Sequence, residues 1–410
     1  MNIFSKIALW YSTRWFFSLA VIAGYLCFVL ILQELSSLGN GGINFFDFQV
    51  YYRAGARLLD GENLYRAAED GHFIFKYSPT AAILFVPFSL LPLWLAKIFY
   101  WLFICAGIVS GFYFALAIVA PGFKHDPTKA NGVLLIAALL MWPHLWTEFA
   151  FGQINYLLMV AFVCVAFLFI RKKTVWSSAL LAFTLFIKPY GLAFLPYFII
   201  KKRFRDAGWF LFFTGFFFLL PAVFFRSGEF LSQQRHWIST VFDELGVKQG
   251  LLEAGNHTVY SMLARYSPLA VLPSDSPFFK VFPFVVVLAI GCAVLWLFVK
   301  DRGVRNPEAL DFALMLALMP LISYTTDNAF CFTALAVVLL IDNFDRLGRV
   351  EKVVLIPGLL FVSFDLFFLN RYAVGRSAEL FDLGNTYSLL GIGTVILVII
   401  MTRCRLKANL

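Results

Sequence analysis

The stretch Arg171-Lys-Lys-Thr-Val-Trp-Ser-Ser-Ala-Leu-Leu-Ala-Phe-Thr-Leu-Phe-Ile-Lys188-Pro-Tyr-Gly-Leu-Ala-Phe-Leu-Pro-Tyr-Phe-Ile-Ile-Lys201-Lys-Arg203 decides the fold. Between Lys173 and Lys201 lie 27 residues with a single charge, Lys188. Both flanks are strongly basic, and basic clusters set tightly against apolar runs mark the cytoplasmic side of a membrane. One crossing would put the flanks on opposite sides. Two crossings of 14 and 12 residues reach only about 21 and 18 Å, against a hydrocarbon core of about 30 Å. The spacing therefore predicts a short helical hairpin with Ile187-Lys188-Pro189 at an apex recessed below the outer surface. An ionisable residue at that depth is a candidate functional group. The plainer reading is a lysine that snorkels outward or pairs with an acid.

Outward from the hairpin the same logic repeats. Uncharged runs long enough to cross occupy 15–33, 98–120, 130–147, 149–170, 207–225, 281–299 and 383–402, with shorter ones at 312–326, 328–341 and 353–364. Together they predict an all-α integral membrane protein, a single domain over 1–410 with about twelve membrane-crossing helices and two larger external loops, about 35–80 and 226–277. Composition agrees, with 61% hydrophobic residues, 14% charged and 50 phenylalanines among 410 residues. A soluble fold of this size cannot hide so much apolar surface, and disorder is excluded by the same values.

The net charge of +9 could suggest nucleic acid, but its placement argues for topology. With the N-terminus inside, the inner loops hold 20 of 33 Lys and Arg but only 8 of 24 Asp and Glu, so inside sums to +12 and outside to −3. The segment 15–33 is long for a signal-peptide core and is read as an uncleaved first span. Five of the six cysteines fall in spans and Cys404 in the inner tail, which gives no disulfide framework and no zinc spacing.

The ionisable and polar candidates gather on one side. Asp47, in Asn44-Phe45-Phe46-Asp47-Phe48, sits among apolar neighbours just before a helix expected over 48–59. It is placed to take a proton from a hydroxyl, or simply to cap that helix. His72, Lys76 and Tyr77 cluster late in the first loop, or are merely solvated there. Glu148 falls in a turn between two spans, after Trp142 and His144, which also suit an aromatic belt, and before Gly152-Gln153-Ile154-Asn155. His257 lies in Asn256-His257-Thr258, and Asp327-Asn328 forms the charged turn between two short apolar runs. A channel or transporter should carry charges at the midplane and often repeated halves. Only Lys188 answers to that, so chemistry at the outer leaflet is favoured.

Five motifs in order carry a resemblance. They are Asp47-Phe-Gln-Val-Tyr-Tyr-Arg-Ala-Gly-Ala-Arg-Leu-Leu-Asp-Gly-Glu-Asn-Leu-Tyr65, then Lys76-Tyr-Ser-Pro79 with Leu91-Pro92, Gly152-Gln153-Ile154-Asn155, Ile187-Lys188-Pro189, and Gly255-Asn256-His257-Thr258-Val259-Tyr260. Over about residues 44–345 the chain resembles glycosyltransferase family 87, integral-membrane enzymes of the GT-C superfamily, many of which use polyprenyl-phosphate-mannose.

The resemblance implies a GT-C-type bundle and an inverting transfer of a sugar, mannose above others, from a polyprenyl-phosphate donor to a lipid or glycan acceptor. It implies Asp47 as the general base and Lys188, His72, Lys76 and His257 as ligands of the donor phosphate. Glu148, Gln153, Asn155, Asp327 and Asn328 are assigned to acceptor or sugar binding. No cofactor, metal or nucleic acid is expected. The implied place is a bacterial inner membrane, with both termini cytoplasmic and the site periplasmic. Where many relatives have a histidine after a late span, this chain reads Ser323-Tyr-Thr-Thr-Asp-Asn328, and asparagine donates a neutral hydrogen bond without charge. The alternative is a lipid-linked sugar flippase or transporter without catalysis.

Overall fold

A computed structural model describes residues 3–37, 45–71, 73–226, 228–246, 257–273, 276–299, 307–322, 327–363 and 378–408. Among these residues all regular structure is helical. The helices are α1 (Ile3–Thr13), α2 (Phe17–Ser37), α3 (Phe46–Leu59), the short α4 (Ala67–Asp70), α5 (Pro79–Ile83) and α6 (Val86–Ser89), then α7 (Leu93–Val119), α8 (Pro127–Phe151) and α9 (Asn155–Ile170). After these come α10 (Thr174–Thr184), α11 (Phe194–Ile200), α12 (Phe204–Leu219), α13 (Glu229–Gly246), α14 (Val259–Tyr266) and α15 (Phe278–Val299). The chain closes with α16 (Pro307–Ile322), α17 (Ala334–Asp342), α18 (Arg349–Val362) and α19 (Ala378–Ala408).

Among the described residues, four segments are long and apolar enough to cross a membrane: Leu93–Val119, Phe204–Val223, Val281–Val299 and Thr386–Arg405. Further apolar helices, such as Asn155–Ile170 and Thr174–Thr184, are shorter. The core runs where α7, α8, α9, α16 and α17 meet, with Leu134, Ala137, Leu158, Phe162, Leu314 and Leu335 wholly buried. By contrast α15 touches chiefly α11 and α14 and leaves Val281, Phe284, Leu288 and Trp296 more than half exposed.

The expected hairpin is present. α10 packs between α9 and α12, and α11 returns along α12 and α15. Its apex breaks at Lys188 for a local reason: the residue before a proline is pushed out of the helical region. Lys188 is extended (φ −142°, ψ 138°), and Pro189 then opens a 3-10 turn, Pro189–Ala193.

Two elements of the first loop depart from expectation. The helix starts two residues early, at Phe46, and its N-cap is Phe45, so Asp47 is its second residue and not its cap. Across the bundle, α8 continues through Glu148 to Phe151, and the break comes at Gly152 in the left-handed conformation. Glu148 therefore lies in the last turn of a helix rather than in a turn between spans. His144 is no belt residue either: it is buried, with Nε2 2.8 Å from the Val362 carbonyl.

Candidate active site

The site begins at the junction of α3 with α8. Phe45 takes a left-handed conformation (φ 32°, ψ 56°), unfavourable for a bulky side chain and held only by its surroundings. Phe45 and Phe48 are wholly buried, and Phe48 stacks on Tyr100 with ring centroids 4.2 Å apart. Both rings press on Gly152, where an added Cβ would stand 3.1 Å from Phe48 Cβ and 3.2 Å from Phe45 Cγ. Glycine is thus required there twice, for its positive φ and for the approach of α3. Further along, Gly55 lets α3 lie directly on the backbone of Phe85 and Val86. These contacts fix the half-buried Asp47 beside the end of α8.

Behind Asp47 stand two tyrosines. Tyr51 and Tyr77 lie ring against ring, with centroids 5.6 Å apart, and both feel the Asp47 charge. Burial holds both hydroxyls above their ordinary range, so both stay protonated. The segment around Tyr77 is anchored twice: Tyr65 Oη donates to the Tyr77 carbonyl at 2.7 Å, and Ser78 N to the Phe186 carbonyl of the hairpin at 3.0 Å. Ser78 then caps α5, accepting from Ala81 N, with Pro79 at the first helical position.

On the other side a hydrogen-bonded chain crosses three elements. Glu148 is wholly buried and accepts from Asn155 Nδ2 at 2.8 Å and from Tyr156 N at 2.9 Å. Asn155 Nδ2 also donates to Gln153 Oε1 at 3.1 Å. Lys188 Nζ donates to Asn155 Oδ1 at 2.8 Å and lies 5.7 Å from the centre of the Tyr190 ring. Asn155 is suited to this place because its amide donates at one end and accepts at the other. The buried carboxylate so orients a neutral group that in turn holds the lysine.

Asp47, Tyr77, Glu148, Asn155 and Lys188 are thus brought together: Tyr77 feels both Asp47 and Lys188, and Glu148 feels both as well. Gln153 joins through its side chain, and its carbonyl accepts from Tyr100 Oη at 3.2 Å. Lys76 is exposed. His257 is buried one residue before the cap of α14, whose Tyr260 interacts with Tyr190. A 3-10 segment, Asp327–Thr333, places Cys331 within electrostatic reach of Glu148 and Lys188, and Phe332 against Tyr190 at 5.8 Å. His72 lies outside the described residues, as do the side chains of Asp327 and Asn328. Sequence reasoning did not single out Tyr51, Tyr190 or Cys331; Tyr190 had one available signal, its place two residues past the apex lysine.

A carboxylate at the rim, a buried acid behind it and a lysine held by a neutral amide can remove a proton at one point and hold an anion at another. The family model described as Glycosyltransferase family 87 matches residues 75–323. The chain belongs to glycosyltransferase family 87. Two curated proteins are similar to parts of it. One is a polyprenol-phosphate-mannose-dependent alpha-(1-2)-phosphatidylinositol mannoside mannosyltransferase of Mycobacterium tuberculosis, 28% identical over 181 residues, which are 39% of this chain and 41% of that protein. The other is a polyprenol-phosphate-mannose-dependent alpha-(1-2)-phosphatidylinositol pentamannoside mannosyltransferase of Mycolicibacterium smegmatis, 32% identical over 169 residues, 39% of each chain. The chain thus spans about two fifths of the length of these relatives. Within this family 87 chain, Lys76, Glu148, Gln153, Asn155, Lys188 and His257 fall inside the matched range, whereas Asp47 and the Asp327–Thr333 segment fall outside it.

Proposed function

We propose that this chain is a GT-C-type membrane glycosyltransferase that moves a mannosyl group from a polyprenyl-phosphate donor to a lipid or glycan acceptor, with inversion. In this reading the bundle has about twelve crossings in a bacterial inner membrane, both termini are cytoplasmic, and the Asp47–Lys188 site faces the periplasm. Asp47 takes the proton of an acceptor hydroxyl as its oxygen attacks the anomeric carbon. The bond to the lipid phosphate breaks on the opposite face, and the phosphate leaves with the bonding pair. Lys188 meets the charge that develops there. His257 and Lys76 line the donor side, with His72 in the same loop. Gln153 and the Asp327–Asn328 turn border the sugar. Glu148 and Asn155, expected as sugar ligands, act instead as the brace of Lys188.

The observation that carries this reading is the Glu148–Asn155–Lys188 chain. An ammonium has three donors, and Asn155 takes one of them, so the charge held there can also meet an anionic ligand. The names of the two relatives supply the donor, polyprenol-phosphate-mannose, and point to a mannosylated lipid as acceptor. The test is an assay of protein in lipid nanodiscs with radiolabelled polyprenyl-phosphate-mannose and bacterial glycolipid extract. Asp47→Asn should lower turnover by about 10²–10⁴-fold with an unchanged melting curve. Full turnover by a folded Asp47→Asn protein removes Asp47 as base. Translocation of the donor without a glycosylated product replaces transfer by flipping.

A further inference from the structure

Phe46 immediately precedes Asp47, and its ring stacks on Phe73, with centroids 5.8 Å apart and 17° between planes. Unlike Phe45, Phe48 and Phe75 around them, these two rings are out in the open, 43% and 42% exposed. They are also fixed. Phe73 N donates to the Asp70 carbonyl at 3.0 Å, and Arg53 Nη2 to the Phe73 carbonyl at 3.2 Å. Asp70 is itself gripped by Arg57 through two hydrogen bonds, of 2.5 and 2.9 Å. Phe46, Arg53 and Arg57 recur at the spacing of one helix face, so one side of α3 presents a ring and two guanidiniums to the returning loop. An ion pair at the base of the loop thus holds a flat apolar surface beside the candidate base, with the partly exposed Arg53 at its edge.

We propose that the Phe46–Phe73 pair is the acceptor subsite, a platform for a pyranose ring of the acceptor. The inference rests on Asp47 as general base and extends it. A pyranose has an apolar face of C–H bonds, which packs on aromatic rings, and a rim of hydroxyls, which suits Arg53 at the edge of the pair. Sites for small polar ligands combine aromatic walls with a few placed polar groups in this way. A ring lying on the platform presents a hydroxyl toward the first turn of α3, where Asp47 stands.

The test uses the full chain in nanodiscs. Saturation-transfer NMR with methyl α-mannopyranoside, methyl α-glucopyranoside and methyl α-galactopyranoside reads binding without turnover, and the transfer assay reads acceptor KM, donor KM and kcat. Phe46→Leu and Phe73→Leu keep apolar volume for contact with lipid but remove the flat face. Each should weaken glycoside binding and raise acceptor KM by about tenfold, with donor KM and kcat near the parent values. Phe73→Trp should restore both. Unchanged binding and acceptor KM in both leucine variants overturn the platform, as does a parent protein that binds none of the three glycosides. If the leucine variants lose glycoside binding while Asp47→Asn keeps full turnover, the platform stands and the base assignment alone fails.

Discussion

Glu148 and Asp311 are both wholly buried acids, and each engages a lysine of the same hairpin, Lys188 at its apex and Lys201 at its foot. About 20 Å of 3-10 and α-helix separates the two lysines. At the foot, contact is direct: Lys201 Nζ lies 3.1 Å from Asp311 Oδ2, Tyr197 Oη donates to the same oxygen at 3.0 Å, and Arg403 Nη1 meets Oδ1. The Phe298 ring lies under both cations, 5.5 Å from Lys201 and 5.2 Å from Arg403. At the apex, Asn155 stands between acid and lysine. Two cations on one carboxylate leave little for a ligand and tie α11, α16 and α19 together. A lysine held by a neutral amide keeps its charge available. On the proposed function, the difference separates a structural ion cluster from a binding one, although both look alike in sequence as charges set among apolar residues.

The largest effect should come from breaking the foot. Asp311→Ala strands the buried Arg403 and the partly buried Lys201, and removing one partner of such a group costs roughly 3–5 kcal/mol. Thermal unfolding in nanodiscs should show that loss, while the activity of the molecules that remain folded stays near the parent value. The comparison breaks if stability holds and turnover falls instead.

Lys188→Met reverses the signature. It removes the cation expected at the leaving phosphate, and turnover should fall by about 10²–10³-fold, equivalent to about 2.7–4 kcal/mol of transition-state stabilisation. The melting curve should move little, because Asn155 keeps its bonds to Glu148 and Gln153. Unchanged kinetics remove Lys188 from the site.

The hairpin was legible because one lysine in a long uncharged stretch, followed by proline, leaves few alternatives. The family resemblance was legible for the same reason, since its motifs keep their order along the chain. The positions of Asp47 and Glu148 were less so. Charge suggested a cap and a turn, whereas the actual boundaries are set by Phe45 and Gly152, whose backbone conformations reflect the packing of α3 on α8. Asn155 was visible only as part of a motif. Its role depends on Glu148 arriving from α8 and Lys188 from the hairpin, a meeting that exists only in three dimensions. Tyr190 and Cys331 went unseen for the same reason.

The smallest effect sharpens the comparison with a third acid. Arg57 grips Asp70 directly, as at the foot, but the pair lies in the loop beside the site and nearer water. Burial raises the Asp70 carboxyl, yet the Arg57 hydrogen bonds and charge outweigh it and hold the carboxyl below its ordinary range. A depressed folded value means that the stabilisation is fully present above the unfolded value, about 3.9, and is lost as pH falls through the folded one. The melting gap between parent and Asp70→Asn should therefore be constant from neutral pH to about 4 and close below it, at about 1 kcal/mol where full. Since the pair holds Phe73 in place, Asp70→Asn should also raise acceptor KM at neutral pH while leaving donor KM alone. A variant that changes donor KM instead would mean that direct pairing near the apex serves the lysine, and the line drawn between the two kinds of buried charge would not hold at this end of the molecule.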